Sequence, residues 1–253
     1  MHNRNTLILN STENVIGCIT MSTNLEPILA EIVRHLKKLH SLVSAALKQS
    51  MKVFEDLDVE MAETSLKGVA DIENLHYTIE DMAYGAISKY HPSEKDLRRL
   101  VAYIHTTGYL KNVGRYAQKI MEIVSTGQQE LDHFKDLESL PYLSELANTA
   151  LTTSMRAIIE EDLSEIDELE KLEAQSDNEA ADMFKEIVEY LGRYRDISTM
   201  AMYYIIVGRY FERSADQAIN IAESAVYLVS GERKKLGRAY IGIDDISDLL
   251  IDI

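Results

Sequence analysis

The stretch that most constrains the fold is Val207–Glu232, VGRYFERSADQAINIAESAVYLVSGE, which has no proline and no glycine between Gly208 and Gly231. Apolar side chains recur at Phe211, Ala215, Ala218, Ala222, Ala225 and Val229, the three-to-four spacing of one helix face. A second stripe, Arg209, Glu212, Asp216, Asn220 and Glu223, keeps the same spacing, so its side chains stack along one side of the helix. Carboxylates four apart on an exposed helix repel by roughly 0.2–0.5 kcal/mol, and burial raises that cost steeply unless a cation sits between them. The stripe therefore needs a counter-charge. Arg209, three residues before Glu212, and Arg213 would supply it on a solvated face; a metal ion would supply it on a buried one.

Helical periodicity extends over most of the chain, which has only 3 prolines and 11 glycines in 253 residues, so an all-α fold is expected. Residues 1–22 carry short β-leaning runs and predict a flexible N-terminal arm. From Leu25 to Val53, Ile28, Ile32, Leu36, Leu39, Val43, Leu47 and Met51 mark a first helix. His35 and His40 on it are five apart and share no face. A second helix is expected over 59–90, stopped by His91-Pro92 because the residue before proline resists the helical conformation. Ser93, with Asp96 three residues on, predicts an N-cap for a third helix reaching Ser125 and ending at Gly127. The charged segment 128–141 divides the chain, and helices over 142–162, 163–191 and 196–230 follow. Two tandem, pseudo-symmetric three-helix bundles result, at 23–127 and 142–232, with a C-terminal tail at 233–253.

The formal net charge of −16 and the lack of a dense basic run exclude nucleic acid and anionic bilayers as direct electrostatic partners. The apolar run Met200–Gly208 is about half the ~20 residues a membrane-spanning helix needs. A single cysteine, Cys18, permits no internal disulfide and fits a reducing compartment, so a cytoplasmic location is expected.

The halves can be superposed. Ile72-Glu73, Leu75 and Ile79-Glu80 match Ala181-Asp182, Phe184 and Val188-Glu189, while Tyr109-Leu110, Ala117, Ile120 and Glu122 match Tyr210-Phe211, Ala218, Ile221 and Glu223. The first set implies an offset of 109 residues and the second 101, with the difference assigned to the connecting loop. HPSEKDLRRL followed by YLKNVGRYAQKI, and FERSADQAINIAESAVYLVSGE in the second half, resemble the paired pattern of the PhoU family over about residues 25–232. That resemblance implies two similar three-helix bundles. It also implies a cytoplasmic negative regulator of phosphate uptake that acts on the ATPase of a phosphate ABC transporter and on a sensor histidine kinase. Multinuclear iron or zinc clusters on acidic E/D-x-x-x-D faces are part of the same implication.

The acidic motif stands in the second half as Glu212 and Asp216 and is replaced in the first by Lys111 and Arg115, with Lys119 in the place of Asn220. A metal site is therefore expected in the second bundle only, at Glu212, Asp216, Asp182, Glu189 and Glu179, with Asp196 and Asn220 as further candidates. Carboxylate oxygens suit iron, manganese or magnesium, and zinc also accepts them. Direct ion pairs with Glu73 and Glu80 are expected in the first bundle. Two Glu-x-x-His matches, Glu73 to His76 and Glu130 to His133, raise a di-iron carboxylate reading; the second match falls in the boundary segment, and His76 aligns with Lys185, which disfavours it. No phosphate-cradling loop or nucleophile elbow is present. The expected function is a regulatory adaptor, with a metalloenzyme or a metal-storage protein as the alternatives. Self-association as a homodimer is expected from the long apolar helix faces.

Overall fold

The computed structural model describes residues 6–127, 132–194 and 196–237, with side chains from Leu25 onward. The helices are α1 (Thr6–Asp56), α2 (Val59–Leu66), α3 (Val69–Tyr90), α4 (Glu94–Ser125), α5 (Ser139–Glu160), α6 (Ile166–Arg193) and α7 (Ser198–Ser230). Among the described residues there is no strand. The expected stripe of the first helix is its core face: Ile32, Leu36, Leu39, Val43 and Leu47 are all fully buried.

Two expectations of element extent are corrected. The arm expected at 1–22 is helical from Thr6, and Pro27 lies inside α1. Elongation adds one hydrogen bond per residue fixed, so a helix anchored by a packed stripe can extend past the point where its periodicity stops. The single helix expected over 59–90 breaks between Leu66 and Val69. There the Lys67 and Gly68 N–H groups reach back only three residues, to Thr64 and Ser65, which tightens the turn and redirects the chain. Ser93 also differs from expectation. Its hydroxyl donates to the Asp96 carboxylate at 3.2 Å instead of capping a backbone N–H. Asp96 then pairs with Arg99 at 3.2 Å, so its role is local.

Helices α1, α3 and α4 pack on one another, with α2 against α4, and α5, α6 and α7 form the second bundle. The bundles join through α4 against α7 and α1 against α5, so these four helices form the centre while α3 and α6 flank it. Polar links mark the seam at Ser44–Asn148 (2.8 Å) and Asn112–Gln217 (3.3 Å), beside the stacked rings of Tyr116 and Tyr210. At one end, Arg99 on α4 donates to Glu161, the left-handed cap of α5, at 2.8 Å. His133, in the irregular segment before α5, ties α1 to α7. Its Nδ1 lies 2.8 Å from the Tyr204 hydroxyl and its Nε2 3.1 Å from the Phe54 carbonyl. Nε2 faces a carbonyl and therefore carries a proton, while the Tyr204 hydroxyl beside Nδ1 also reaches the Lys135 carbonyl at 3.4 Å.

Candidate metal centre

α6 and α7 run antiparallel, which sets residues one turn apart on one helix against residues one turn apart on the other. α6 presents Glu173 and Asp177, and α7 presents Glu212 and Asp216. Ligand oxygens of Glu173, Asp177 and Asp216 all lie within 4.8 Å of one another. Glu173 is 8% exposed, and its Oε2 is buried without a hydrogen-bond partner. An orphaned carboxylate oxygen of this kind is costly unless something positive meets it.

The electrostatics follow from this crowding. Burial, then the charges of Asp216, Glu170 and Glu212, push the Glu173 carboxyl up to about 7. Burial, then Glu173, Glu212 and Asp216, push Asp177 up to about 7 as well, with Arg209 opposing. Arg209 pairs with Glu212, as its spacing anticipates. That one cation leaves the pair on α6 strongly perturbed. Hard oxygen donors converging from two helices, one of them buried and two half-buried, fit a multivalent cation, with Glu173, Asp177 and Asp216 as its holders and Glu212 beside them.

Of the six sequence candidates, Asp216 belongs to the cluster, and Glu212 stands beside it, paired with Arg209. Asp182 and Glu189 do not belong to it; their side chains are 76% and 72% exposed and pair with Lys185 and Arg193 on their own helix. Glu179, two residues past Asp177, is rotated roughly 200° away from it around α6. Asp196 is exposed in the turn before α7, sixteen residues from Glu212, which is roughly 24 Å of helix. Asn220 donates to the Asp216 carbonyl at 3.0 Å.

The misplacement has one cause. His76 meets Lys111 across α3 and α4 where Asp177 faces Glu212 across α6 and α7, so the offset is 101 in both helices. The 109-residue register slid α6 by about two turns and kept the face while losing the position. The missed signal is Glu173-Ala-Gln-Ser-Asp177, which repeats the spacing of Glu212-Arg-Ser-Ala-Asp216.

At the corrected register the first bundle has Ile72, His76, Lys111 and Arg115 in place of the four acids. The Lys111 ammonium lies 2.8 Å from His76 Nε2, and His76 Nδ1 lies 3.3 Å from the Thr107 hydroxyl. Burial holds the His76 pKa below its ordinary value, with Lys111 lowering it further against the pull of Glu80. A neutral imidazole accepting from Lys111 satisfies both groups. Among the described residues, the cross-helix ion pairs expected with Glu73 and Glu80 are not what forms: Glu73 accepts from Tyr77, Glu80 lies 3.4 Å from His76 Nε2 on its own helix, Lys119 pairs with Glu122 on its own helix, and Arg115 is exposed. Nor do the Glu-x-x-His matches converge as a di-iron site requires: His76 faces Lys111, and His133 is occupied by Tyr204 and Phe54. Glu130 lies outside the described residues.

A family model of the PhoU domain matches residues 36–124 and again 140–225. The phosphate-specific transport system accessory protein PhoU homolog 1 of Thermotoga maritima is 25% identical over 200 residues, covering 79% of this chain and 86% of its own length. The corresponding PhoU homolog of Aquifex aeolicus is 28% identical over 209 residues, with 81% and 92% covered. Among solved structures, the phosphate transport system regulatory protein PhoU of Streptococcus pneumoniae superposes with a TM-score of 0.74 at 23% identity, covering 84% of this chain and all of that one. PhoU of Pseudomonas aeruginosa superposes with a TM-score of 0.77 at 19% identity, covering 82% and 99%. These two likenesses concern the fold.

Proposed function

This chain belongs to the PhoU family, with one copy of the domain in each bundle, and from that premise we propose that it is an accessory regulator of a phosphate transport system whose second bundle carries a carboxylate metal site. The carrying observation is the cluster of Glu173, Asp177 and Asp216, with the buried and unpartnered Glu173 Oε2 at its centre. Its relatives are named as accessory proteins of phosphate-specific transport, and a regulator of this kind acts through protein partners.

The proposed partners are the ATPase subunit of a phosphate ABC transporter and a sensor histidine kinase, and the proposed effect is restraint of uptake. The location that serves both is the cytoplasm. No helix among the described residues is long and apolar enough to cross a membrane; the proposed contact with one runs through the partners. The resident metal is iron or zinc, as a single ion or a cluster, held in the second bundle only; manganese or magnesium would satisfy the same oxygens. In the first bundle, Lys111 and neutral His76 occupy the matching space and offer no set of anionic oxygens. A homodimer is proposed on the helix faces turned away from the seam.

Elemental analysis of full-length protein purified without chelator tests the metal site. One site's worth of metal per chain is expected, lost in Glu173→Ala plus Asp177→Ala and in Glu212→Ala plus Asp216→Ala. Metal content unchanged by both double substitutions would remove this part of the reading. Co-purification with the transporter ATPase and the kinase cytoplasmic domain, at high and low phosphate, tests the regulatory part; absence of both complexes at both concentrations would refute it.

A further inference from the structure

We propose that the segment Glu232–Gly237 is a strap across the acidic cluster, and that metal entry and exit require its release. This rests on the metal-site reading above. After α7, Gly231 adopts φ +75 and donates to the Tyr227 carbonyl, which reverses the chain and sends it back along the bundle. The Glu232 N–H then bonds the Ser230 hydroxyl at 3.0 Å, and the Arg233 guanidinium stands 4.6 Å over the Tyr227 ring.

The next three residues cross from α7 to α6, the two helices that supply the cluster. One carboxylate, Glu223 on α7, takes both the Lys235 ammonium at 2.9 Å and the Leu236 N–H at 3.0 Å. Leu236 is 6% exposed and joins the hydrophobic core. The Gly237 N–H donates to Glu170 on α6 at 3.1 Å. At Gly237 the main chain comes so close that an added Cβ would stand 2.9 Å from Glu173 Oε1, and φ there is +71. Glycine is required by the close approach and by the backbone conformation alike.

The strap compensates the acids on the rim, Glu170 and Glu223, while its main chain passes directly against Glu173, the most buried acid of the cluster. Backbone and leucine here cover the Glu173 side of the cluster, its most buried part. Release of the strap breaks its bonds to Glu223 and Glu170 and exposes one leucine, a local opening well below global unfolding. Exchange of the ion would then follow the population of the opened strap.

The test uses full-length protein loaded with Zn²⁺ alone. Zinc release into excess chelator and trypsin cleavage after Lys234 and Lys235 are followed in the wild type, in Leu236→Asp and in the conservative Glu223→Gln. Zinc stoichiometry should be the same in all three. Release and cleavage should both be faster by about tenfold or more in Leu236→Asp, with a smaller acceleration of both in Glu223→Gln. Equal release rates despite faster cleavage would overturn the strap's role, as would wild-type cleavage as fast as that of Leu236→Asp. A wild type that binds no zinc would instead overturn the metal site on which the strap acts.

Discussion

Without metal, the carboxylate cluster should make the protein less stable as pH rises through neutrality. Glu173 and Asp177 keep their protons up to about pH 7 in the folded state and lose them in the ordinary carboxylate range when unfolded. Between those limits the native state binds more protons, so the slope of unfolding free energy against pH is negative. The stability each group contributes is full below the unfolded pKa and is lost as pH rises through the folded one. One pH unit of displacement is worth about 1.4 kcal/mol, so each group alone would account for about 4 kcal/mol between pH 4 and 8. The two repel each other and each figure counts that repulsion, so the pair contributes no less than one group's share, about 4 kcal/mol. For a chain of this size that is roughly 10 °C or more in melting temperature.

The assay is thermal melting in chelator from pH 5 to 8, comparing wild type with Glu173→Gln plus Asp177→Asn, whose amides carry no charge at any of these values. Wild type should melt progressively lower as pH rises while the double variant stays nearly level, so the two curves diverge above pH 6. Metal should raise the wild-type melting temperature most at the upper end, because its ligands must be deprotonated, and binding at pH 6.5 should release protons measurable from the buffer dependence of the heat. Parallel curves for the two proteins would refute the claim that these carboxylates are strained against each other.

Three further outcomes concern the scaffold. Arg99→Ala should cost about 2 kcal/mol in denaturant unfolding, because it strips Glu161 of a half-buried charged partner that joins α4 to α5. Burial works against the Glu161 charge and Arg99 outweighs it, holding that carboxyl below its ordinary value; its contribution is present above the usual carboxylate range and fades as pH falls, so the gap between Arg99→Ala and wild type should narrow toward pH 3. Tyr204→Phe should cost about 1 kcal/mol in the same measurement through the lost hydroxyl bond to His133. Gly208→Val should cost about 1–3 kcal/mol and lower metal occupancy, since its side chain would run into the end of the Met183 side chain, which α6 packs against α7 there.

The helices were legible because their cause is local and periodic. The stripe from Ile32 to Leu47 has one face to bury, and Pro92 and Gly231 stop chains that would otherwise continue. The α2–α3 break was less legible, since Gly68 inside a periodic run is tolerated as often as it interrupts. The acids of α7 were found because four-residue spacing fixes which face they share. Those of α6 were misplaced because spacing fixes a face but not a height along the partner helix. Glu173, Asp177, Asp182 and Glu189 are all acids on one helix, and only the folded contact of Glu173 and Asp177 with Asp216 shows the level at which α6 meets α7. The strap was beyond sequence reasoning altogether, because Glu223 to Leu236 is a contact made by the chain folding back, with no periodicity to announce it.

The strain in the cluster persists because the helices that carry it cannot separate. α7 gives one face to α6, but other faces are packed against α5 and against α4, where Tyr210 stacks on Tyr116 and Gln217 accepts from Asn112. The buried face of α7 includes Phe211, Ala215, Ala218, Ile221 and Ala222, with three alanines that let neighbouring helices come close. α6 is anchored in turn by Leu169, Met183 and Ile187, which lie on both sides of the acidic turn. Moving the carboxylates apart would empty that packing along two helices, at a cost of several buried side chains at ~1.5–3 kcal/mol each. Protonation or a bound cation costs far less. The first bundle meets the same geometric demand differently, with Ile72 filling and a neutral His76 accepting from Lys111. Hence one architecture, repeated twice, sets a neutral imidazole against an ammonium in one half and crowds carboxylates together in the other.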